Sequence, residues 1–203
     1  MGRNIKINLR MKDASRDAVL AGALRLFAVR GLSATRMSDI ASAAGISQGL
    51  AYRHFASKEA IFIELLRQAL DRLVRECSRI GKMAAAPAAK LTIAAREFLG
   101  AVHNKPNTAW LYMLAAQALL SEDVPAPAKK NIKEKRAVAY GTVLRIIRAG
   151  QKDGSIRKYN PEGMALIFWG AVSGLAMYAA SGGSGASMPD PDLLSGMFLN
   201  NQG

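Results

Sequence analysis

The sequence predicts an all-α protein of about nine helices. Three observations predict it: apolar residues recur at helical spacing along the chain, several of these runs open on residues that cap helices, and no strand pattern bounded by turn residues interrupts them. With 203 residues, half of them hydrophobic, the chain has the means to bury a core.

From Asp13 to Val29, Leu20, Leu24 and Phe27 with Ala23 mark one face of a first helix, and Gly31 follows as a stop. Thr35 is the expected cap of a short second helix through Ala44, with Asp39 in its first turn where the helix dipole favours an acid. Gly45 then supplies a left-handed turn, and Ser47 caps a third, very short helix, QGLAYRHF. Ser57 caps a fourth, with Glu59 in its first turn and a buried stripe of Phe62, Leu65, Leu66, Ala69 and Leu73, running to about Met83. Beyond a break at Pro87 the periodicity predicts helices near 88–103, 107–121, 127–152, 161–180 and 190–200. Asn160-Pro161-Glu162 and Asp190-Pro191-Asp192 each offer a cap, a proline at the first helical position and an acid in the first turn.

Helices two and three, joined through Ala44-Gly45-Ile46, make a helix-turn-helix whose interhelical angle is set by Ile40, Ala43 or Ala44, and Ile46. Any αα-corner shows this much. What sharpens the motif is the third helix and its exit, where Ser47, Gln48, Tyr52, Arg53, His54 and Lys58 gather hydrogen-bond donors on a small-residue surface able to enter a major groove.

The run from Leu24 to Leu66 resembles the TetR (tetracycline-repressor-like) family, and Tyr52, His54 and Phe55 followed by Ser57-Lys58-Glu59 match its most specific signature. The resemblance covers about the first seventy residues. It implies a DNA-binding domain over 1–57 and an effector-binding and dimerisation domain over 58–203, and Arg3, Lys6, Arg10 and Lys12 form a basic arm over 1–12 ahead of the first helix, a disordered tail being the competing reading. Carried over residue by residue, it implies that Thr35, Tyr52, His54 and Lys58 hold phosphates, while Ser47, Gln48, Leu50 and Arg53, with Gly49 among them, face base edges. The chemistry agrees: Gln48 pairs bidentately with adenine, Arg53 with guanine, and Leu50 suits a thymine methyl group.

Charge points to the same partner. The formal net charge is +13, and the first 60 residues are the more densely basic part, which favours a polyanion such as double-stranded DNA. Cys77 is the lone cysteine, so neither a disulfide framework nor, with only His54 and His103 beside it, a metal cluster is expected; no cofactor is expected either. The charged N-terminus lacks a signal-peptide core, which predicts a cytoplasmic protein. Met164–Ala180 is apolar, yet shorter than a bilayer span and without basic or aromatic anchors, so a buried helix is expected there and no membrane. There is no Gly-rich phosphate loop and no GxSxG elbow, so catalysis is not expected.

For the C-terminal part the resemblance implies a small-molecule cavity among helices four to eight. Phe98, Trp110, Tyr112, Met113, Phe168 and Trp169 are the apolar candidates, suiting a mostly apolar or aromatic effector, and His103, Tyr112 and Gln117 are the polar ones; core packing is the competing role for each. Gly170, Ala171 and Gly174 leave one helix face smooth, and with Leu193, Met197 and Phe198 of the last helix they are the expected homodimer interface. The basic cluster from Lys129 to Arg136 is taken as a solvated helix face. The expected function is a ligand-released repressor that binds a palindromic operator as a dimer. The different-class alternative is a membrane-associated or interaction protein whose helix-turn-helix is purely structural.

Overall fold

Helical spacing and caps give nine helices among the described residues of a computed structural model, in which the backbone is described over 2–182 and 188–200 and side chains from residue 13 onward, Pro106 apart. They are α1 (Gly2–Ala34), α2 (Met37–Ala43), α3 (Gln48–His54), α4 (Lys58–Lys82), α5 (Pro87–Asn104), α6 (Pro106–Leu120), α7 (Ala126–Asp153), α8 (Pro161–Gly182) and α9 (Pro191–Gly196). An isolated antiparallel bridge, Ile156 with Leu199, is the β pairing among those residues.

Three expectations about the ends are corrected. The basic segment 1–12 is not an arm ahead of the first helix: its backbone from Gly2 on is helical and continuous with α1, while the side chains of Arg3, Lys6, Arg10 and Lys12 lie outside the described residues. The expected stop at Gly31 is a break inside α1 (φ 79°, ψ 171°), after which the chain makes one more turn to Ala34. The last helix ends at Gly196 because the chain turns to pair with the α7–α8 connection: Phe198 O accepts from Arg157 N at 2.9 Å and Asn200 N donates to Ser155 O at 3.2 Å.

Two apolar clusters organise the body, and a smaller third one lies where α5, α6 and α8 meet. The first joins Leu20, Leu24 and Phe27 of α1, Ile40 of α2, Ala51 of α3 and Phe62 and Leu65 of α4 to Leu114 and Ala118 of α6 and Ile132 of α7. Phe27 and Phe62 meet edge to face at 5.4 Å, a geometry favoured by the ring quadrupoles. The second cluster fills the space among α4, α5, α7, α8 and α9. α8 is long and apolar enough to cross a membrane by composition, but Met164, Ala165, Phe168, Val172, Ala176 and Ala180 at helical spacing bury one side of it in the protein.

Gly150 of α7 shows how tight the second cluster is. A Cβ there would stand 2.5 Å from Ile156 Cγ1 and 3.0 Å from its Cβ, and Ile156 is fully buried and β-branched, so it has little room to yield. Gly150→Ala is expected to lower stability by about 1–3 kcal/mol through overpacking, measured by urea denaturation, with operator affinity of the folded fraction unchanged.

Candidate nucleic-acid interface

The candidate interface is built by two seven-residue helices and the caps that start them. Arg36, not Thr35, is the N-cap of α2, and its backbone N–H donates to Asp39 Oδ2 at 3.0 Å. Gly45 turns the chain at φ 66°, and Ser47 Oγ accepts from Leu50 N at 3.3 Å to start α3. Close approach explains a small residue at position 22, where a Cβ would lie 3.1 Å from Ala44 N, so α1 supports the α2–α3 turn by direct backbone contact.

This frame exposes Ser47, Gln48, Gly49, Tyr52 and Arg53 on one surface, with Leu50 half-buried at its edge and Ala51 and Phe55 turned into the core. Tyr52 is 48% exposed, large for an aromatic ring with no internal task. Ser47 divides its hydroxyl between capping and any contact outside.

The residues expected on phosphates fare differently. Thr35 is fully buried and its hydroxyl donates to Gly31 O at 2.8 Å, so the side chain closes the break in α1 and does not face a phosphate. Lys58 sits in the first turn of α4, against that helix's dipole, and the offset comes from within the protein: Nζ donates to Ser33 O at 2.9 Å and Thr35 O at 3.0 Å. An ammonium has three donors, so one remains for an outside anion. His54 is half-buried with Nε2 2.7 Å from Ser15 Oγ on α1. Arg36, which the sequence pattern had not singled out, is exposed at the start of α2 beside this surface.

One ionic group locks this head. Arg16 of α1 lies over the Phe55 ring at 4.9 Å and pairs with Glu64 of α4 at 2.8 Å, while Arg67 pairs with the same carboxylate at 2.7 Å. Arg67, with help from Arg16 and Gln68 against the cost of burial, holds the Glu64 carboxyl down at about 2.

The residues expected to line an effector cavity do not form one group. Phe98, Phe168 and Trp169 are packed together, with ring centroids 5.0 Å apart for Phe98 and Trp169 and 5.5 Å for Phe168 and Trp169, and Tyr112 packs on the same cluster, where burial raises its phenol well above the ordinary value. Burial likewise pushes the Cys77 thiol up to about 12, leaving it inert at neutral pH. Trp169 Nε1 is buried there without a hydrogen-bond partner among the described residues. His103 is exposed near the end of α5, away from that cluster, and so is corrected as a cavity residue. Trp110 and Met113 pack at the edge of the smaller cluster with Val102 and Ala109, while Gln117 is exposed. Met113 and Gln117 instead share a groove of about 380 Å³ between α6 and α8.

Of the expected dimer residues, Gly170 and Gly174 are open, with nothing near a built Cβ, and Leu193 and Met197 are exposed at 65% and 57%. Phe198 is corrected: it is buried 6.2 Å from Phe168 because the chain leaves α9 to form the bridge with Ile156, and Ala171 is half-buried against the core. The exposed stripe of α8 also holds Leu166, Ile167, Met177 and Tyr178, which the sequence did not reveal because the segment is apolar on all sides.

A short exposed recognition helix held on a larger helical body is the layout of a helix-turn-helix DNA-binding regulator. Residues 19–65 match the family model for bacterial regulatory proteins of the tetR family. The chain is 30% identical over 173 residues to the HTH-type transcriptional regulator RutR of Escherichia coli (strain K12), covering 84% of this chain and 77% of that protein. It is 35% identical over 144 residues to the HTH-type transcriptional repressor KstR2 of Mycolicibacterium smegmatis, covering 70% and 67% of the two chains. The solved structure of the ketosteroid transcriptional regulator KstR2 of Mycobacterium tuberculosis superposes with a TM-score of 0.76 at 25% identity, over 92% of this chain and 95% of that one. The chain belongs to the TetR family of bacterial regulatory proteins, and it is a DNA-binding transcriptional regulator.

Because Glu64 titrates lower in the folded protein than its ordinary 4.5, its contribution to stability is complete above pH 4.5 and is lost as pH falls from there to about 2. Glu64→Gln is expected to cost about 1–2 kcal/mol at pH 7, allowing for the exposure of its partners, and progressively less below pH 4.5. Urea denaturation of both proteins at pH 7 and pH 3 checks this; an equal loss at both pH values contradicts it.

Proposed function

We propose that residues 1–57 read a nearly palindromic operator and that residues 58–203 hold the second protomer and a small, mostly apolar or aromatic effector whose binding releases the DNA in the cytoplasm. The observation that carries this is the exposed face of α3, where Gln48, Tyr52 and Arg53 stand together while Ala51 of the same helix packs into the core. Gln48 and Arg53 reach base edges, and Leu50 touches a thymine methyl group. Tyr52, the free donor of Lys58, His54 and Arg36 position the head on phosphates. Two such heads must enter successive major grooves about 34–36 Å apart, which requires a dimer.

The open stripe of α8 supports a two-fold interface there. Leu166, Ile167, Gly170 and Gly174 are exposed together, and glycines without close neighbours let a second helix approach closely. An apolar face of that extent is otherwise costly to leave in water. The ketosteroid regulator that the fold resembles supports an effector of mostly apolar character.

Binding of the protein to the DNA flanking its own gene, followed over a range of salt, tests the function. Tyr52→Ala is expected to weaken binding about equally to all sequences, whereas Gln48→Ala loses about 1–3 kcal/mol of discrimination at one base position. Binding by charge alone, equal for any sequence, would contradict a regulator. Sedimentation of Ile167→Glu, expected as a monomer where the native chain is a dimer, tests the interface.

A further inference from the structure

α6 has two faces with different duties. Leu114 and Ala118 are fully buried in the same cluster as the helices of the DNA-binding head, while Met113, Ala116, Gln117 and Leu120, at i, i+3, i+4 and i+7, wall the groove of about 380 Å³ whose other side is Met177, Tyr178 and Ser181 of α8. One helix thus separates the groove from the head. The groove's size is in the range of small-ligand sites.

Gln117 joins the two faces. Its Nε2 donates to the backbone carbonyl of Ala28 on α1 at 3.1 Å, and its residue also lines the groove. Ala28 lies three residues before the break at Gly31, and the turn beyond that break is gathered by Thr35 and Lys58: Thr35 Oγ1 bonds Gly31 O, Lys58 Nζ bonds Ser33 O and Thr35 O, and Ser33 bonds Asp123 before α7. α2 begins two residues after Thr35. A displacement of Gln117 therefore acts on the one place where α1 is not a continuous rod, next to the helices that enter the groove of DNA.

We propose that the α6–α8 groove takes an apolar small molecule bearing a hydrogen-bond donor, and that Gln117 passes its occupancy to α1 and so to the recognition helices. The lining is apolar apart from Gln117, Ser181 and the Tyr178 phenol, which selects an apolar ligand. The Gln117 amide has one carbonyl acceptor left to receive the ligand's donor while its N–H group holds Ala28. A ligand that draws the amide toward the groove weakens the hold on α1. The inference rests on the effector-released repressor described above and specifies its site and its first coupling residue.

The test uses 1-aminoanthracene, a flat apolar fluorophore with an amine donor, on the native chain and three variants: Ala116→Trp, which fills the groove; Gln117→Met, which keeps bulk and removes the amide; and Trp169→Phe, which alters the aromatic cluster of the body instead. Fluorescence titration reads binding, anisotropy of labelled operator reads DNA affinity with and without the dye, and sedimentation reads the dimer. In the native chain the dye is expected to weaken operator binding at least about fivefold, the lower end of typical coupling. Ala116→Trp is expected to lose dye binding at least tenfold while remaining a dimer that binds the operator. Gln117→Met is expected to bind dye within about threefold of native, yet to show less than a twofold effect of dye on the operator.

Dye binding retained by Ala116→Trp but lost by Trp169→Phe would put the ligand in the body interior and overturn the groove as the site. Dissociation of the dimer by Ala116→Trp would make the groove a contact between copies and overturn it equally, and a full dye response in Gln117→Met would overturn the relay. Absence of selective operator binding by the native chain without dye would instead overturn the repressor on which the inference rests.

Discussion

Two helices of seven residues cannot persist in water on their own, because nucleating a helix costs more than so few backbone bonds return. The recognition surface therefore depends on what α2 and α3 are packed against. That support is the first apolar cluster, and it is not a property of the head alone: Ile40 and Ala51 are held by Leu24, Phe27 and Phe62, and these in turn by Leu114 and Ala118 of α6 and Ile132 of α7. A head whose core is completed by the body cannot be indifferent to how the body is arranged. The sharing of one core is the physical route by which a change in the arrangement of the body would reach the DNA-binding surface.

The polar contacts specialise this shared core. Arg16, Glu64 and Arg67 tie α1 to α4 across the exit of α3, and Lys58 ties the start of α4 to the carbonyls after the break in α1. In both cases a charge is satisfied internally while another part of the same group, or a neighbour, stays available to solvent. The third donor of Lys58 is such a group. Its bonds to Ser33 and Thr35 hold the ammonium in place, so less side-chain freedom would be left to lose on binding an anion.

Much of this was legible in the sequence, and the exceptions have definite causes. The caps at Ser47, Ser57, Asn160 and Asp190 and the left-handed Gly45 are local, so the residues that specify them lie within three positions of one another. Thr35 looked like a cap because its residue type suits one, but its hydroxyl is consumed by Gly31 O once that glycine breaks α1. Which side of α8 is buried could not be read from its pattern, since a helix apolar all round has no preferred face until α5, α6 and α7 cover one of them. Phe198 was misplaced for a similar reason: its neighbours suggest another helical turn, and a bridge to Ile156 some forty residues earlier decides otherwise.

The orphaned indole N–H of Trp169 adds a constraint on how the body works. An unsatisfied buried donor costs about 1–3 kcal/mol, yet the ring around it is closely packed by Phe98 and Phe168. Packing that dense resists small adjustments and favours a change between discrete arrangements. The α6–α8 groove, by contrast, is walled in part by exposed side chains that move at little cost, among them Leu120, Met177 and Tyr178. A ligand entering the groove would meet that yielding surface with Leu114 and Ala118 fully buried on the other face of α6, so its displacement would be delivered through α6 to the core that α6 shares with α1.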